Sequence, residues 1–328
     1  MAKADQLKAL IRSHAEGDDG RFYAIAMQVA AQEARSGRGR LAQDLRELVD
    51  HSKARSRLDD AGRLPGPVPL AQPRGELAGL LVAAYPKTRL SDMVLSDRAS
   101  ARLQSVIREQ RQRELLAKSG FAPLRKVLLI GPPGTGKTMT ASALAGELAA
   151  PLLTIQLHSL ITKFMGETAA KLRLVFDAIQ ETRGVYLFDE FDALGSDRGA
   201  KNDVGEIRRV LNSFLQFFEQ DDSDSLILAA TNHPGILDRA LFRRFDAVVE
   251  YTLPSGPLVE AVIRNRLGQL DLSGIAWSEV TKAARGHSHG EIVRACEQAA
   301  KDAILDERAT LGTRDLVKNL ADRHTPRE

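Results

Sequence analysis

The chain has 328 residues, of which 43% are hydrophobic and 27% charged, with a formal net charge of +3. That length leaves room for about two globular domains, and the near balance of charge permits nucleic-acid binding without arguing for it. The single cysteine, Cys296, excludes an internal disulfide and fits a reducing, cytoplasmic setting. No run approaches the roughly 18 apolar residues of a membrane span, and the N-terminus lacks the apolar stretch of a signal peptide.

Residues 1–60 read as two or three helices, because Leu7, Leu10 and Ile11, then Phe22, Ile25, Ala26 and Val29, then Leu41, Leu45, Leu48 and Val49 recur at helical spacing. Gly17 to Gly20 and Ser36 to Gly39 break the pattern. Such a small bundle suits client or partner docking better than chemistry, with a packing appendage as the alternative. Residues 61–76 are rich in Pro and Gly and read as a semi-extended linker. Leu77 to Tyr85 is apolar enough for a strand or a short helix. Asp97 to Leu116 reads as a helix carrying Arg98, Arg102, Arg108, Arg111 and Arg113. That face is a solvated surface, a subunit contact or a nucleic-acid contact.

Lys126 to Ile130 is a short apolar, β-branched run, as a buried parallel strand requires. Gly131-Pro132-Pro133-Gly134-Thr135-Gly136-Lys137-Thr138 follows, and Met139 to Ala149 favours helix. Strand, glycine loop and helix start together form a phosphate cradle, in which backbone N–H groups and the helix dipole converge on one spot. The spacing G-x-x-x-x-G-K-[ST] assigns Pro133 to Met139 to nucleotide contact, Lys137 to the β- and γ-phosphates of ATP, and the Thr138 hydroxyl to Mg²⁺.

Strands over Leu152–Leu157, Val185–Phe188, Leu226–Ala230 and Ala247–Tyr251 alternate with helices over Ala169–Gln180 and Val204–Glu219. This alternation predicts an α/β fold with a parallel sheet covered on both faces, spanning residues 77–253, followed by helices over residues 254–328. Asp189 and Glu190 end one buried strand, where such a sheet binds its ligand. Asp189 suits the Mg²⁺ shell, and Glu190 can take a proton from an attacking water. Asn232 ends another strand and can hold that water or touch the γ-phosphate, or else cap the turn it opens. Arg243 and Arg244 precede the last strand; supplied to a neighbouring subunit's nucleotide, they would stabilise transferred phosphate charge. Lys163, Phe164 and Met165 lie on a loop with Gly166, an adhesive tip unless Phe164 is simply core.

These features in this order resemble the AAA+ ATPases, in particular the protein-remodelling branch that includes katanin, spastin and FtsH. GPPGTGKT is similar to Walker A, YLFDEFDAL to Walker B, AATN to the sensor 1 strand, ALFRRFD to the arginine-finger segment and KFMGE to the aromatic pore loop. The likeness runs from Leu90 to Ala303. It implies a P-loop NTPase sheet followed by a helical lid, and an ATP-dependent hexamer with ATP between neighbours. It also implies Arg243 and Arg244 acting in trans, and Lys163, Phe164 and Met165 gripping a protein client. Two departures stand out. The two arginines are adjacent, as in katanin-like members. The lid motif G-x-S-G-A-D reads Gly286-His287-Ser288-His289-Gly290-Glu291, which leaves Arg294 as the remaining sensor 2 candidate. No HExxH motif follows, so no protease is fused. The general layout is similar to small stand-alone bacterial members, some of which act with a subtilisin-like serine protease in plasmid competition or phage defence. A nucleic-acid-dependent motor or loader, and a nucleotide-switched scaffold that regulates a partner enzyme, are the alternatives.

Overall fold

A computed structural model describes Gln43 and residues 73, 75–160, 167–194, 204–236, 239–268, 270–308 and 310–323. The chain divides into two compact units, Met1–Gly66 and Pro67–Glu328. The expected N-terminal bundle, most of the linker, and the loop carrying Lys163, Phe164 and Met165 lie outside the described residues.

The second unit is built on a six-stranded sheet. Its strands are β1 (Leu81–Ala84), β2 (Lys126–Ile130), β3 (Leu152–Ile155), β4 (Val185–Phe188), β5 (Leu226–Thr231) and β6 (Ala247–Glu250), in the spatial order β1-β3-β4-β5-β2-β6. All neighbours run parallel except β1, which joins β3 antiparallel. The wholly parallel sheet expected from the sequence therefore gains one antiparallel edge strand. The ambiguous run from Leu77 resolves into a 3₁₀ turn, Gly75–Gly79, followed by β1.

Every residue of β4 and β5 is buried, as strands covered on both faces require. Alternation along β2 and β5 divides the core in two. Leu128, Ile227 and Ala229 face one cluster with helices α5 (Glu167–Glu181) and α6 (Val204–Gln220). Val127, Leu129, Leu226, Leu228 and Ala230 face the other, with α1 (Asp97–Arg111) and α3 (Lys137–Glu147). The helix expected over 97–116 breaks at Gln112, and Arg113–Lys118 forms a separate α2. Beyond β3 the chain turns at once into a short α4 (Leu157–Leu160), so the strand expected to reach Leu157 stops at Ile155.

After β6 and a short α7 before it (Arg239–Phe242), four helices follow: α8 (Pro257–Leu267), α9 (Trp277–Ala283), α10 (His289–Leu305) and α11 (Thr313–Ala321). They enclose a core of their own, including Val259, Ile263, Ile292, Cys296, Ala299 and Leu316, against which Val94 also packs. Cys296 is buried there as a small hydrophobe, and burial pushes its thiol pKa up to about 12. Among the described residues no helix is long and apolar enough to cross a membrane.

The arginines of α1 and α2 are largely engaged. Arg111 pairs with Glu147 at 2.7 Å, Arg113 with Asp224 at 3.4 Å and Arg98 with Glu250 at 3.8 Å, while Arg102 donates to the Asp246 carbonyl at 3.3 Å. These partners all belong to the same sheet domain, while the Arg98 side chain stays 88% exposed.

Phenylalanines dominate the core on the α5–α6 side. Phe214 stands with its ring centroid 4.9 Å from Phe191, 5.1 Å from Phe188, 5.3 Å from Phe218 and 5.7 Å from Phe176. Truncating so central a ring removes its burial and leaves a cavity, at about 3–5 kcal/mol. Phe214→Ala is therefore expected to lower the melting temperature by roughly 10 °C without nucleotide, measured by circular dichroism. A fall of only about 2 °C would mean that the cluster carries little of the stability.

Candidate functional site

Because β2, β4 and β5 are parallel neighbours, their C-terminal ends lie on one edge of the sheet, and the chain leaves each as a loop. The loop after β2 is the glycine loop, joined to β5 where the Gly131 N–H donates to the Thr231 carbonyl at 3.3 Å. Three of its glycines are required by shape. Gly131 (φ 153°) passes so close to Tyr251 that a Cβ would lie 2.4 Å from the Tyr251 carbonyl oxygen, while Gly134 (φ 73°) and Gly136 (φ 102°) hold left-handed conformations. A Cβ on Gly134 would also strike the Ser288 hydroxyl at 2.6 Å. The Thr135 hydroxyl braces the loop by donating to the Pro132 carbonyl at 2.8 Å. Beneath it the Thr140 hydroxyl and the Tyr251 phenol share a 2.6 Å hydrogen bond, and burial pushes the phenol pKa up to about 12.

Gly136 is the N-cap of α3, so Lys137 and Thr138 occupy its first turn. The Lys137 ammonium is buried and donates to the carbonyls of Gly131 at 2.7 Å and Pro132 at 2.8 Å. Desolvation lowers its pKa, while Asp189 and Asp192 pull it back up. The ammonium is thus held across the loop's mouth by weak neutral acceptors, which phosphate oxygens can replace. Pro133 in the loop and Met139 in the first turn of α3 are exposed.

The sheet brings the predicted acids to this loop. The Thr138 hydroxyl donates to Asp189 Oδ2 at 2.8 Å, although 51 residues separate them. Asp189 Oδ1 in turn accepts from the Glu190 N–H at 2.9 Å, and Glu190 is exposed with a left-handed backbone, φ 51°. A hydroxyl and a carboxylate side by side are hard oxygen donors of the kind Mg²⁺ takes. Two such protein ligands, completed by substrate phosphates, are its usual share. Thr138 and Asp189 are therefore residues whose donors would suit Mg²⁺ beside a bound phosphate.

Asp192, which sequence reasoning passed over, joins the second and third loops. Its Oδ1 accepts from the Thr231 hydroxyl at 2.9 Å and from the Asn232 N–H at 3.3 Å. Asn232 is thereby held at the end of β5. The turn it opens is capped by another residue, since the His233 N–H donates to the Thr231 hydroxyl at 3.0 Å. The signal for Asp192 was a third acid two residues beyond Glu190, on the 3₁₀ turn Phe191–Leu194.

Arg243 and Arg244 do not join this group. They precede β6, whose first residue pairs with Val127 near the start of β2, so they lie at the opposite edge of the sheet. Phe245 is buried against Phe218, with centroids 5.0 Å apart, and the Asp246 carboxylate accepts from the Arg125 and Lys126 N–H groups at 2.9 Å each. Between these anchors Arg243 is exposed, whereas Arg244 is half-buried and donates to Glu219. Arg294 is exposed on α10. The lid meets the glycine loop at Gly134, whose carbonyl accepts from the Gly290 N–H at 2.9 Å and against which the Ser288 side chain packs. Ser288 caps α10 there in a capping box with Glu291.

The chain is similar in sequence and in fold to known proteins. The family model described as "ATPase family associated with various cellular activities (AAA)" matches residues 127–253. An uncharacterized AAA family ATPase, y4kL of Sinorhizobium fredii, is 31% identical over 323 residues, covering 98% of this chain and 96% of that protein. A proteasome-activating nucleotidase of Methanococcus maripaludis is 37% identical over 202 residues, covering 60% of this chain and 50% of that protein. The ATP-dependent zinc metalloprotease FtsH 1 of Methylacidiphilum infernorum is 34% identical over 230 residues, covering 68% of this chain and 36% of that protein. Among solved structures, the FIGL-1 AAA domain superposes with a TM-score of 0.60 at 23% identity, covering 76% of this chain and 87% of that one, a likeness of fold. With a relative matched along nearly its whole length and the family's model lying over the sheet that bears the site, the chain belongs to the AAA family of ATPases.

Proposed function

We propose that the chain is the subunit of an ATP-driven ring, six-membered by analogy with its family, that pulls on or unfolds protein clients. One observation carries the ring. Arg243 and Arg244 stand at the strand edge opposite the glycine loop, separated from it by the five residues of β2, or about 16 Å. An arginine so placed cannot serve its own chain's nucleotide and is free to serve a neighbour's. Arg243 is the better candidate to touch transferred phosphate, because Arg244 is already tied to Glu219.

In this reading the glycine loop and Lys137 bind the β- and γ-phosphates of ATP, with Met139 beside them. Thr138 and Asp189 hold Mg²⁺, which when bound neutralises charge on the phosphate oxygens. The Glu190 carboxylate takes a proton as water oxygen attacks the γ-phosphorus and the bond to the ADP oxygen breaks. Asn232 orients that water, and Asp192 keeps Asn232 in place. The neighbour's Arg243 meets the charge that develops on the moving phosphoryl group.

The client side rests on different ground. Relatives named as a proteasome-activating nucleotidase and as FtsH support a protein substrate. The chain spans only about half the length of the nucleotidase and about a third of FtsH, so their further activities do not transfer with the ATPase portion. Lys163, Phe164 and Met165 are the proposed client grip. Residues 1–60 are the proposed docking module, joined by the 61–76 linker to the ATPase domain of 77–253 and the lid of 254–328. The engaged arginines of α1 and α2 weigh against a nucleic-acid motor.

Glu190→Gln is expected to bind ATP as the wild type does while turnover falls by about 10²–10⁴-fold, read by phosphate release beside nucleotide titration. Turnover within a factor of about two would remove Glu190 from the proton-transfer step. The same variant should gain mass to about six subunits on adding ATP in light scattering, and a particle that stays a monomer would contradict the ring. Arg243→Ala should cut turnover by about 10³-fold with little change in ATP affinity, and Arg244→Ala by less; the reverse order would exchange their roles.

A further inference from the structure

The arginine-rich run of α1 and α2 takes no part in the nucleotide site, and Arg98, Arg102, Arg111 and Arg113 each have a partner within the sheet domain. Arg108 is exposed and has none among the described residues. It lines an open groove of about 670 Å³ between α1 and the 3₁₀ turn Leu90–Asp92, a volume within the usual range of ligand sites.

Helical spacing builds one wall of the groove. Ser100, Gln104, Arg108 and Arg111 follow one another at intervals of three or four residues, which sets them in a row along one face of α1. Leu90, Met93 and the buried Ile107 add apolar surface. The acid in the lining is Glu147, the last residue of α3, and its charge is already met. Its Oε1 accepts from the Leu90 N–H at 3.2 Å, its Oε2 accepts from Arg111 at 2.7 Å, and the Arg89 guanidinium stands 3.7 Å away. Asp92, the next nearest acid in sequence to this turn, accepts from the Arg89 N–H at 2.8 Å and from the Ser91 hydroxyl at 3.5 Å. Arg111 reaches Glu147 through Nη2. The Arg108 guanidinium is therefore an uncompensated positive charge one helical turn from a second arginine.

We propose that this groove is an anion site that takes a phosphate group, either free phosphate or the head of a small sugar phosphate, on Arg108 and Arg111. Planar guanidinium forks match the oxygens of a tetrahedral phosphate and give charge-assisted hydrogen bonds, the stronger kind. The amides of Gln104 and Gln112 and the hydroxyls of Ser91 and Ser100 line the same groove and suit the hydroxyls of a sugar. Lys137, Thr138 and Asp189 are not among its walls, so it is a second site and not part of the phosphate cradle. A nucleic-acid backbone is a poorer fit, because it needs a stripe of unpaired cations, and the other arginines of this run are engaged.

The test is calorimetric titration of the full-length chain with inorganic phosphate and, separately, with ribose 5-phosphate. The protein is first saturated with Mg²⁺ and a non-hydrolysable ATP analogue, so that the phosphate cradle is filled. The wild type is expected to bind at least one probe with a Kd below about 1 mM. Tighter binding of ribose 5-phosphate supports a sugar phosphate as the occupant, and equal binding of the two supports the phosphate group alone. Arg108→Ala should weaken binding by roughly tenfold or more, and Arg108→Lys, which keeps the charge and loses the fork, by less. Both variants should melt as the wild type does, since Arg108 is exposed. Absence of binding of both probes to the wild type, or an unchanged Kd in Arg108→Ala, overturns the site.

Discussion

Everything at the site depends on β2, β4 and β5 being parallel neighbours. A parallel sheet gathers the C-terminal ends of its strands on one edge, and that alone brings Thr138 within 2.8 Å of Asp189 across 51 residues of sequence. The same parallelism sends the residues before β6 to the other edge. One constraint therefore assembles the phosphate-binding half of an active site and carries the arginines away from it. On the proposed reading such a chain would hold halves of two different sites, which a closed ring would join to their complements.

The aromatic cluster links the two edges physically. Phe188 and Phe191 flank Asp189 and Glu190, Phe214 packs on both, Phe218 stacks on Phe214, and Phe245 lies against Phe218 immediately after the arginine pair. Dense packing of this kind resists continuous deformation, so the acid pair and the arginine segment are held to one rigid body. The lid is attached differently, through the Gly290–Gly134 backbone bond, the Asn265 amide donating to the Asp92 carbonyl at 3.3 Å, and Val94 seated in its core. The lid thus has a core of its own, separate from the two cores of the sheet domain.

Much of this was legible because its signals are local. A β-branched run, a glycine loop and a helix start lie within about twenty residues, and the paired acids end an apolar run of four. The departures arise where the deciding partner is remote in sequence. Nothing within Leu81–Ala84 says that it pairs antiparallel with β3, since the pairing is set by how the preceding chain reaches the sheet edge. Asp192 looks like one more exposed acid until β5 places Thr231 and Asn232 against it. Arg244 and its neighbour are indistinguishable as a dipeptide; Glu219, at the end of α6, tells them apart.

The central claim, that each active site is completed by the next subunit, is tested most directly by mixing two crippled proteins. Arg243→Ala and Glu190→Gln subunits are each expected to be nearly inactive alone. Combined in rings, an Arg243→Ala subunit offers an intact Glu190 and its Glu190→Gln neighbour an intact Arg243, so phosphate release should rise to a maximum at intermediate mixing ratios. A rate that follows the weighted sum of the two pure variants at every ratio, while light scattering shows that mixed rings form, would contradict the shared site.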